Sequence, residues 1–409
     1  MSVNYIDQVP EGFYDGKKVL MRVDFNVPMD DNGTITDDVR IRRVLKSINY
    51  LLDENAVIVL ASHLGRPKGR VVSEYSLEPV AKRLGRLLKK EVVFLDDCIG
   101  DDVFQSVTAA EPGSVLMLEN LRFHPGETKN DPEFSRSLAA GIDIYVNNAF
   151  ATAHRAHASM VGVTEYVPVC LGGFLMREEL DYFARALKNP LRPLTAIIGG
   201  AKVSSKLHVI KNLLNSVDRL IVGGAMAFTF LKAQGFGLGR SMVEPEMIDQ
   251  ARETFEEAIA RGVRFYLPVD CVAAPEIAPE VETKVVPVQE IPRNWMGLDI
   301  GPASATLFNE VIQDSRTIVW NGPMGVFELP LFSRGTLGMV HNVASTYALT
   351  IVGGGDTDVA IHQAGEVDRI SYISTGGGAF LELMEGKVLP AIKALEDCCQ
   401  KNARLSSES

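Results

Sequence analysis

Short runs of Val, Ile and Leu recur along this chain, apolar from end to end and separated by stretches of helical pattern. A strand that is apolar at every position must be covered on both faces. Strands of that kind alternating with helices make a parallel sheet with helices on either side. In the first part of the chain such strands are read at Val19–Val23, Ala56–Ala61, Ser114–Leu118 and Ile142–Val146. In the second they are read at Leu194–Ile198, Arg219–Val222, Arg316–Trp320, Leu349–Val352 and Ser371–Ser374. Helical patterns between them include Val39–Asp53, Leu77–Lys89, Val203–Asn215 and Glu246–Arg261. In a chain of 409 residues these are too many strands for one comfortable sheet. The expected fold class is α/β, with two doubly wound, Rossmann-like parallel-sheet domains, an interdomain helix and a cleft between them.

The boundary is expected near Gly172–Arg192. There MREELDYFARALKN reads as a helix over about 176–189 and runs into the Pro-rich stop PLRP. This gives a first domain over 1–172 and a second over 173–389 that begins with the interdomain helix. The tail from about 390 to 409 contains another short helix. Packing back on the first domain is one option for it, which the sequence alone does not show.

Composition narrows the function. No apolar run approaches the roughly 20 residues of a membrane span, and MSVNYIDQVPEG lacks the basic and apolar regions of a signal peptide. Five scattered cysteines without CxxC spacing argue for a reducing compartment, so the cytoplasm is expected. A net charge of −11 argues against a nucleic-acid surface. Any anionic ligand would then need positive charge gathered locally.

Open α/β sheets bind ligands beyond the carboxyl ends of their strands. In the first half those ends read RVDFN, SHLGRP, LENLRFHP and NNAFATAHRAHAS. They gather Arg66, Arg122, Arg155, His63 and His154, with Arg40 a further candidate at the start of a helix. Each arginine alone reads equally well as a surface ion pair. Their repetition at successive strand ends suggests a pocket for a small anion, since the guanidinium fork matches phosphate and carboxylate. Asp24 and Asn26 can serve a hydroxyl there, and Asp24 also reads as a turn cap.

In the second half the strand ends carry glycine: GGAK, GGA, NGP, GGGD and TGGG. Glycine lets backbone amides approach phosphates, and helix N-termini favour negative charge. None of these is a GxxxxGK[ST] loop or a GxGxxG fingerprint. Lys202 and Lys206, four apart at an expected helix start, would share one face. They also read as two solvated lysines. Asp356 is a candidate for Mg²⁺ and for a helix N-cap.

Taken in order, RVDFNVP, SHLGRP, LRF, AHRAHAS, GFLMREEL, GGAKVSSK, VWNGPMGVFE, GGGDT and STGGGAFLE resemble the phosphoglycerate kinase family. The matches run from Arg22 to Glu382. The resemblance implies reversible phosphoryl transfer between 1,3-bisphosphoglycerate and ADP. It also implies a substrate set of Asp24, Phe25, Asn26, Arg40, His63, Leu64, Gly65, Arg66, Arg122 and Arg155. The implied nucleotide set is Lys202, Lys206, Gly223, Gly224, Asn321, Pro323, Glu328, Gly353, Gly354, Gly355, Asp356 and Thr357. Asp356 would serve Mg²⁺ and Glu328 the ribose. Catalysis would fall to Arg40, Lys206 and the amides of Gly376, Gly377 and Gly378. A monomer is expected, with a dimer as the alternative.

The chain departs from the familiar family pattern at Ala225, Asn148, Ala151 and Asp358-Val359, and these departures resemble archaeal members. Two rival readings are a non-catalytic nucleotide or anion sensor on the same scaffold and an NAD-dependent dehydrogenase. Retention of Arg40, Lys206 and Asp356 disfavours the first, and the missing GxGxxG disfavours the second.

Reacting atoms must come to about 3–3.5 Å. With the two reactants on different domains, closure is implied, with hinges near Leu171–Gly173 and Lys387–Pro390. Both ligands together should compact the chain more than either alone. Small-angle scattering with no extra compaction in the ternary mixture would contradict closure.

Overall fold

The computed structural model describes the backbone of residues 3–407 and the side chains of residues 3–401. Residues 1–2 and 408–409, the outermost parts of the expected first domain and tail, lie outside the described residues. The chain forms two compact units, Met1–Leu180 with Val388–Ser409 and Asp181–Lys387.

The first unit holds six parallel strands: β1 Lys18–Arg22, β2 Val57–Ala61, β3 Val93–Leu95, β4 Val115–Leu118, β5 Ile144–Asn147 and β6 Val169–Gly172. Their order is β3-β4-β2-β1-β5-β6. β1 is central, in register with β2 on one side and β5 on the other. The order reverses there, so the carboxyl ends of β1 and β5 flank a topological switch point. The helix Val39–Asp53 buries Ile41, Val44, Ile48 and Leu51, which share one face by their spacing. They pack with Val19, Met21, Ile58 and Leu60 of the sheet.

The second unit holds β7 Leu194–Ile198, β8 Arg219–Val222, β9 Arg264–Tyr266, β10 Asp270–Ala274, β11 Lys284–Pro287, β12 Met296–Ile300, β13 Thr317–Asn321, β14 Leu349–Gly353 and β15 Tyr372–Ile373. Six of these form a parallel sheet in the order β15-β14-β13-β7-β8-β9. Its switch point lies between β7 and β13, which run side by side over their full length. The other three form a small antiparallel sheet, β11-β10-β12.

Several elements differ from the sequence reading. β3, β6 and β9 were not anticipated, since β3 and β9 are three-residue edge strands with exposed or half-exposed positions. The antiparallel sheet was not anticipated either, because β11 is mostly exposed and lacks an apolar run. The helix expected over Val203–Asn215 spans only Leu207–Leu213. The helix expected over 176–189 begins earlier, at Phe174, and ends in a π turn at Ala184–Lys188. Its early start has a cause: the Phe174 amide donates to Ser47 Oγ and the Leu175 amide to Asn148 Oδ1. These side chains satisfy first-turn donors that have no acceptor within the helix.

Trp320 on β13 is fully buried, and its Nε1 donates to the Gly322 carbonyl at 2.8 Å. Trp320→Ala should cost roughly 3–5 kcal/mol. Urea unfolding should show a lower midpoint for the Asp181–Lys387 unit, and an unmoved midpoint would contradict its place in that core.

Candidate functional site

In the first unit, Arg66, Arg122 and Arg155 line one hollow of about 360 Å³ together with Lys68, Thr128 and His157. Asn120, fully buried, braces the loops behind it. Its Oδ1 accepts from the amides of Leu64 and Arg122, and its Nδ2 donates to the carbonyls of Leu64 and Tyr75. The loops after β2 and β4 are thereby fixed to each other. Arg122 donates to the Gly65 carbonyl at 2.7 Å, while its Nε is buried without a partner. Burial, then the charges of Arg155 and Arg22, push the Arg122 guanidinium down to about 10. Burial and Arg66 likewise lower Arg155. Among the described residues none of the three lining arginines is in an ion pair.

His63 is buried beside them. Arg22 NH2 lies 3.1 Å from its Nδ1. A guanidinium only donates, so Nδ1 accepts and a neutral ring carries its proton on Nε2. Burial, then Arg22, Arg122, Arg155 and Arg40, hold His63 well below the usual imidazole range. It is therefore uncharged at pH 7. Asp24 forms an ion pair with Arg40 and stands 3.8 Å from His63 Nδ1.

Not every expected substrate residue offers a free group. Phe25 and Leu64 are core side chains. The amide of Phe25 is taken by Ser62 Oγ, that of Leu64 by Asn120 and that of Gly65 by Asn26 Oδ1. None of the three lines the hollow of Arg66, Arg122 and Arg155, and their amides are not free to donate into it. Conversely, the sequence reading missed Arg22 and Glu127, both buried charges, as well as Lys68 and His157. Arg22 lies within the strand end RVDFN, and Lys68 lies one residue past SHLGRP.

In the second unit, the carboxyl ends of β7, β8 and β13 meet main chain to main chain. Gly224 has φ +66°, and a Cβ there would lie 2.6 Å from Gly200 N and O. Gly322 has φ +98°, and a Cβ there would lie 2.3 Å from the Gly199 carbonyl and 2.5 Å from Lys206 Nζ. Only glycine fits this junction. Lys206 Nζ donates to the carbonyls of Gly199, at 2.6 Å, and Asn321, at 3.2 Å. Burial pushes it down to about 8, although Asp356 pulls the other way. Thr357 Oγ1 accepts from the Gly322 amide, and Asn321 Nδ2 donates to the Gly353 carbonyl, which ties β13 to the loop after β14.

Beside this junction lies a hollow of about 390 Å³. Gly224, Pro323, Glu328 and Asp356 of the expected nucleotide set line it, with Phe228, Met296 and Leu298 as apolar wall. Asp356, in the first turn of the helix Gly355–Ala364, is exposed there. Asp299 also lines it, and burial pushes this carboxyl up to about 7.

Three expectations change here. Lys202 and Lys206 do not share a helix face, because residues 201–206 precede the helix Leu207–Leu213 as a turn. Glu244 takes the amide and hydroxyl of Ser204 and holds that turn open. Lys202 is exposed, whereas Lys206 points inward. Gly223 and Gly353 are glycines for packing, since a Cβ would strike Met324 at 2.3 Å and Phe380 at 2.3 Å. Of the catalytic glycines, the Gly376 amide is taken by Ser374 Oγ. Gly377 and Gly378 open the helix Gly378–Met384, so their amides belong to the donors without an intrahelical acceptor.

A guanidinium-lined hollow on one doubly wound unit and a glycine-built, partly apolar hollow on another define an α/β phosphotransferase. A family model described as phosphoglycerate kinase matches residues 9–387. A phosphoglycerate kinase from Geobacter sp. (strain M21) is 62% identical over 97% of this chain and 99% of its own. One from Citrifermentans bemidjiense is 61% identical over the same shares. Among solved structures, phosphoglycerate kinase from Coxiella burnetii superposes with a TM-score of 0.90 at 42% identity, covering 97% of this chain and 99% of that one. That from Pyrococcus horikoshii gives 0.82 at 33%, covering 97% and 100%. The chain belongs to the phosphoglycerate kinase family, kinases that use ATP and ADP.

Gly322→Ala should force a strained φ and a backbone clash at once. The strain alone costs about 1–3 kcal/mol. Denaturant unfolding should show a destabilised second unit, and wild-type stability would contradict the close junction.

Proposed function

We propose that this chain catalyses reversible phosphoryl transfer between 1,3-bisphosphoglycerate and ADP, giving 3-phosphoglycerate and ATP, as a step of glycolysis and gluconeogenesis. The observation that carries the reading is the convergence of Arg66, Arg122 and Arg155 on one hollow without a carboxylate partner. Lowered arginines mean that the protein itself leaves these charges poorly compensated. A phosphate supplies the missing charge and the hydrogen-bond acceptors. The three arginines thus hold the phosphate of 3-phosphoglycerate. Neutral His63 donates from Nε2 to a substrate oxygen, and Asp24 and Asn26 take the hydroxyl.

The second hollow takes the nucleotide, with the purine against Phe228, Met296 and Leu298 and the ribose at Glu328. Asp356 suits Mg²⁺, which binds through one or two carboxylates together with substrate phosphates. Its fit rests on an exposed carboxylate on the wall of that hollow. When bound, the ion supplies charge neutralisation on the phosphates.

Transfer needs no protein base. A substrate carboxylate and an ADP phosphate oxygen are ionised at neutral pH, given a carboxyl pKa of about 4. The chain's own part is to position and to neutralise charge. Lys206, at about 8, still carries its proton at pH 7. It stabilises charge on the transferring group with Arg40 and the amides of Gly377 and Gly378. We place the reaction in the cytoplasm, where five free cysteines remain reduced.

The direct test supplies 3-phosphoglycerate and MgATP and follows bisphosphoglycerate formation in a coupled assay. Binding of both ligands without turnover would favour the sensor reading and end this one. Arg40→Ala should lower kcat by about 10²–10³, the usual effect of losing a preorganised charge-stabilising group. Nucleotide affinity should change little. Near-normal turnover in that variant would remove Arg40 from catalysis.

A further inference from the structure

We propose that Asp97, Cys98 and His124 form a binding site for a single zinc-class divalent cation. The three residues come from the carboxyl ends of the neighbouring strands β3 and β4, which pair in parallel. Asp97 and Cys98 follow β3, and His124 follows the short turn Leu121–Phe123 after β4. One ligand atom from each lies within 4.8 Å of the others. Three points so placed fall within about 2.8 Å of a common centre. Zinc bonds are about 2.0–2.3 Å long for nitrogen, oxygen and sulfur. Closing the site therefore draws the Cys98 sulfur inward and parts the hydrogen-bonded His124 Nε2 and Asp97 Oδ1, shifts within reach of side-chain rotation.

The donors are already oriented. His124 Nε2 lies 2.6 Å from Asp97 Oδ1. The His124 ring packs on Phe134 with centroids 5.2 Å apart, which fixes its plane. The Cys98 thiol donates to the Glu119 carbonyl at 2.9 Å at the floor of the site. The mouth is open, with Asp97 52% and His124 28% exposed. The local field is negative. The Asp97, Glu119 and Glu127 carboxylates around Cys98 attract a dication.

On binding, the Cys98 S–H bond breaks, its proton leaves to solvent and the sulfur electron pair forms the metal bond. His124 binds through Nε2 with its ring proton on Nδ1, and an oxygen of Asp97 completes the protein set. Water fills the fourth position. One sulfur, one imidazole and one carboxylate select zinc-class ions over Mg²⁺ or Ca²⁺, which take oxygen ligands.

Cobalt(II) titration of the full chain tests the site, because cobalt reports a thiolate ligand by a charge-transfer band in the near ultraviolet. We expect one equivalent to produce the band and zinc to displace it. Cys98→Ser should abolish it, and Cys399→Ser should leave it unchanged. His124→Ala should weaken cobalt binding at least tenfold, since loss of even an outer-shell partner costs roughly 10–100-fold. Absence of the band in the wild-type chain overturns the proposal, as does its persistence in Cys98→Ser. Should the buried Cys98→Ser fail to fold, unchanged affinity in the partly exposed His124→Ala overturns it instead.

Discussion

A single buried guanidinium organises the first unit of this molecule. Arg22 ends the central strand β1 and is 1% exposed. Such a group is strongly unfavourable in a protein interior unless its donors are satisfied. Its Nε donates to Ser159 Oγ, one terminal nitrogen to the Val23 carbonyl and the other to His63. Ser159 in turn donates to Glu127 from both hydroxyl and amide. Burial opposes the charge of Glu127, but His157, Arg22 and Ser159 outweigh it and hold the carboxyl below its ordinary value. One cation thus fixes loops from three strand ends and sets the tautomer of His63.

The second unit solves a comparable problem with peptide groups. Its strand ends approach so closely that only main chain fits, and Lys206 fills the junction by donating to two carbonyls. One side therefore offers fixed side-chain charge and the other offers peptide groups held by packing. The first suits a compact anion recognised by fork geometry. The second suits an extended phosphate chain.

Much of this was legible before any coordinates. Apolar runs gave the central strands, because a strand buried on both faces leaves no alternative pattern. Strand ends gave Arg66, Arg122 and Arg155 as a set. Edge strands were not legible, since β3 and β9 are short and partly exposed and so carry no continuous signal. Buried Arg22 and Glu127 were not picked out because nothing local distinguishes an interior charge from a surface one. Their meaning lies in partners up to 137 residues away. The inward turn of Lys206 was hidden for a similar reason: Glu244, forty residues on, holds the preceding Ser204 out of the helix.

The last helix bears on how the chain is made. Leu389, Ala391, Ile392 and Leu395 are buried in the first unit, and the Ala391 amide donates to the Ala153 carbonyl at 3.1 Å. The residues that finish that unit therefore leave the ribosome after the whole of its neighbour. During synthesis the early sheet waits, with the face that this helix covers still wet, while some two hundred later residues are threaded out and fold. Final closure of that core waits on these residues, so a message cut short near codon 387 yields a sound second unit and an unsealed first.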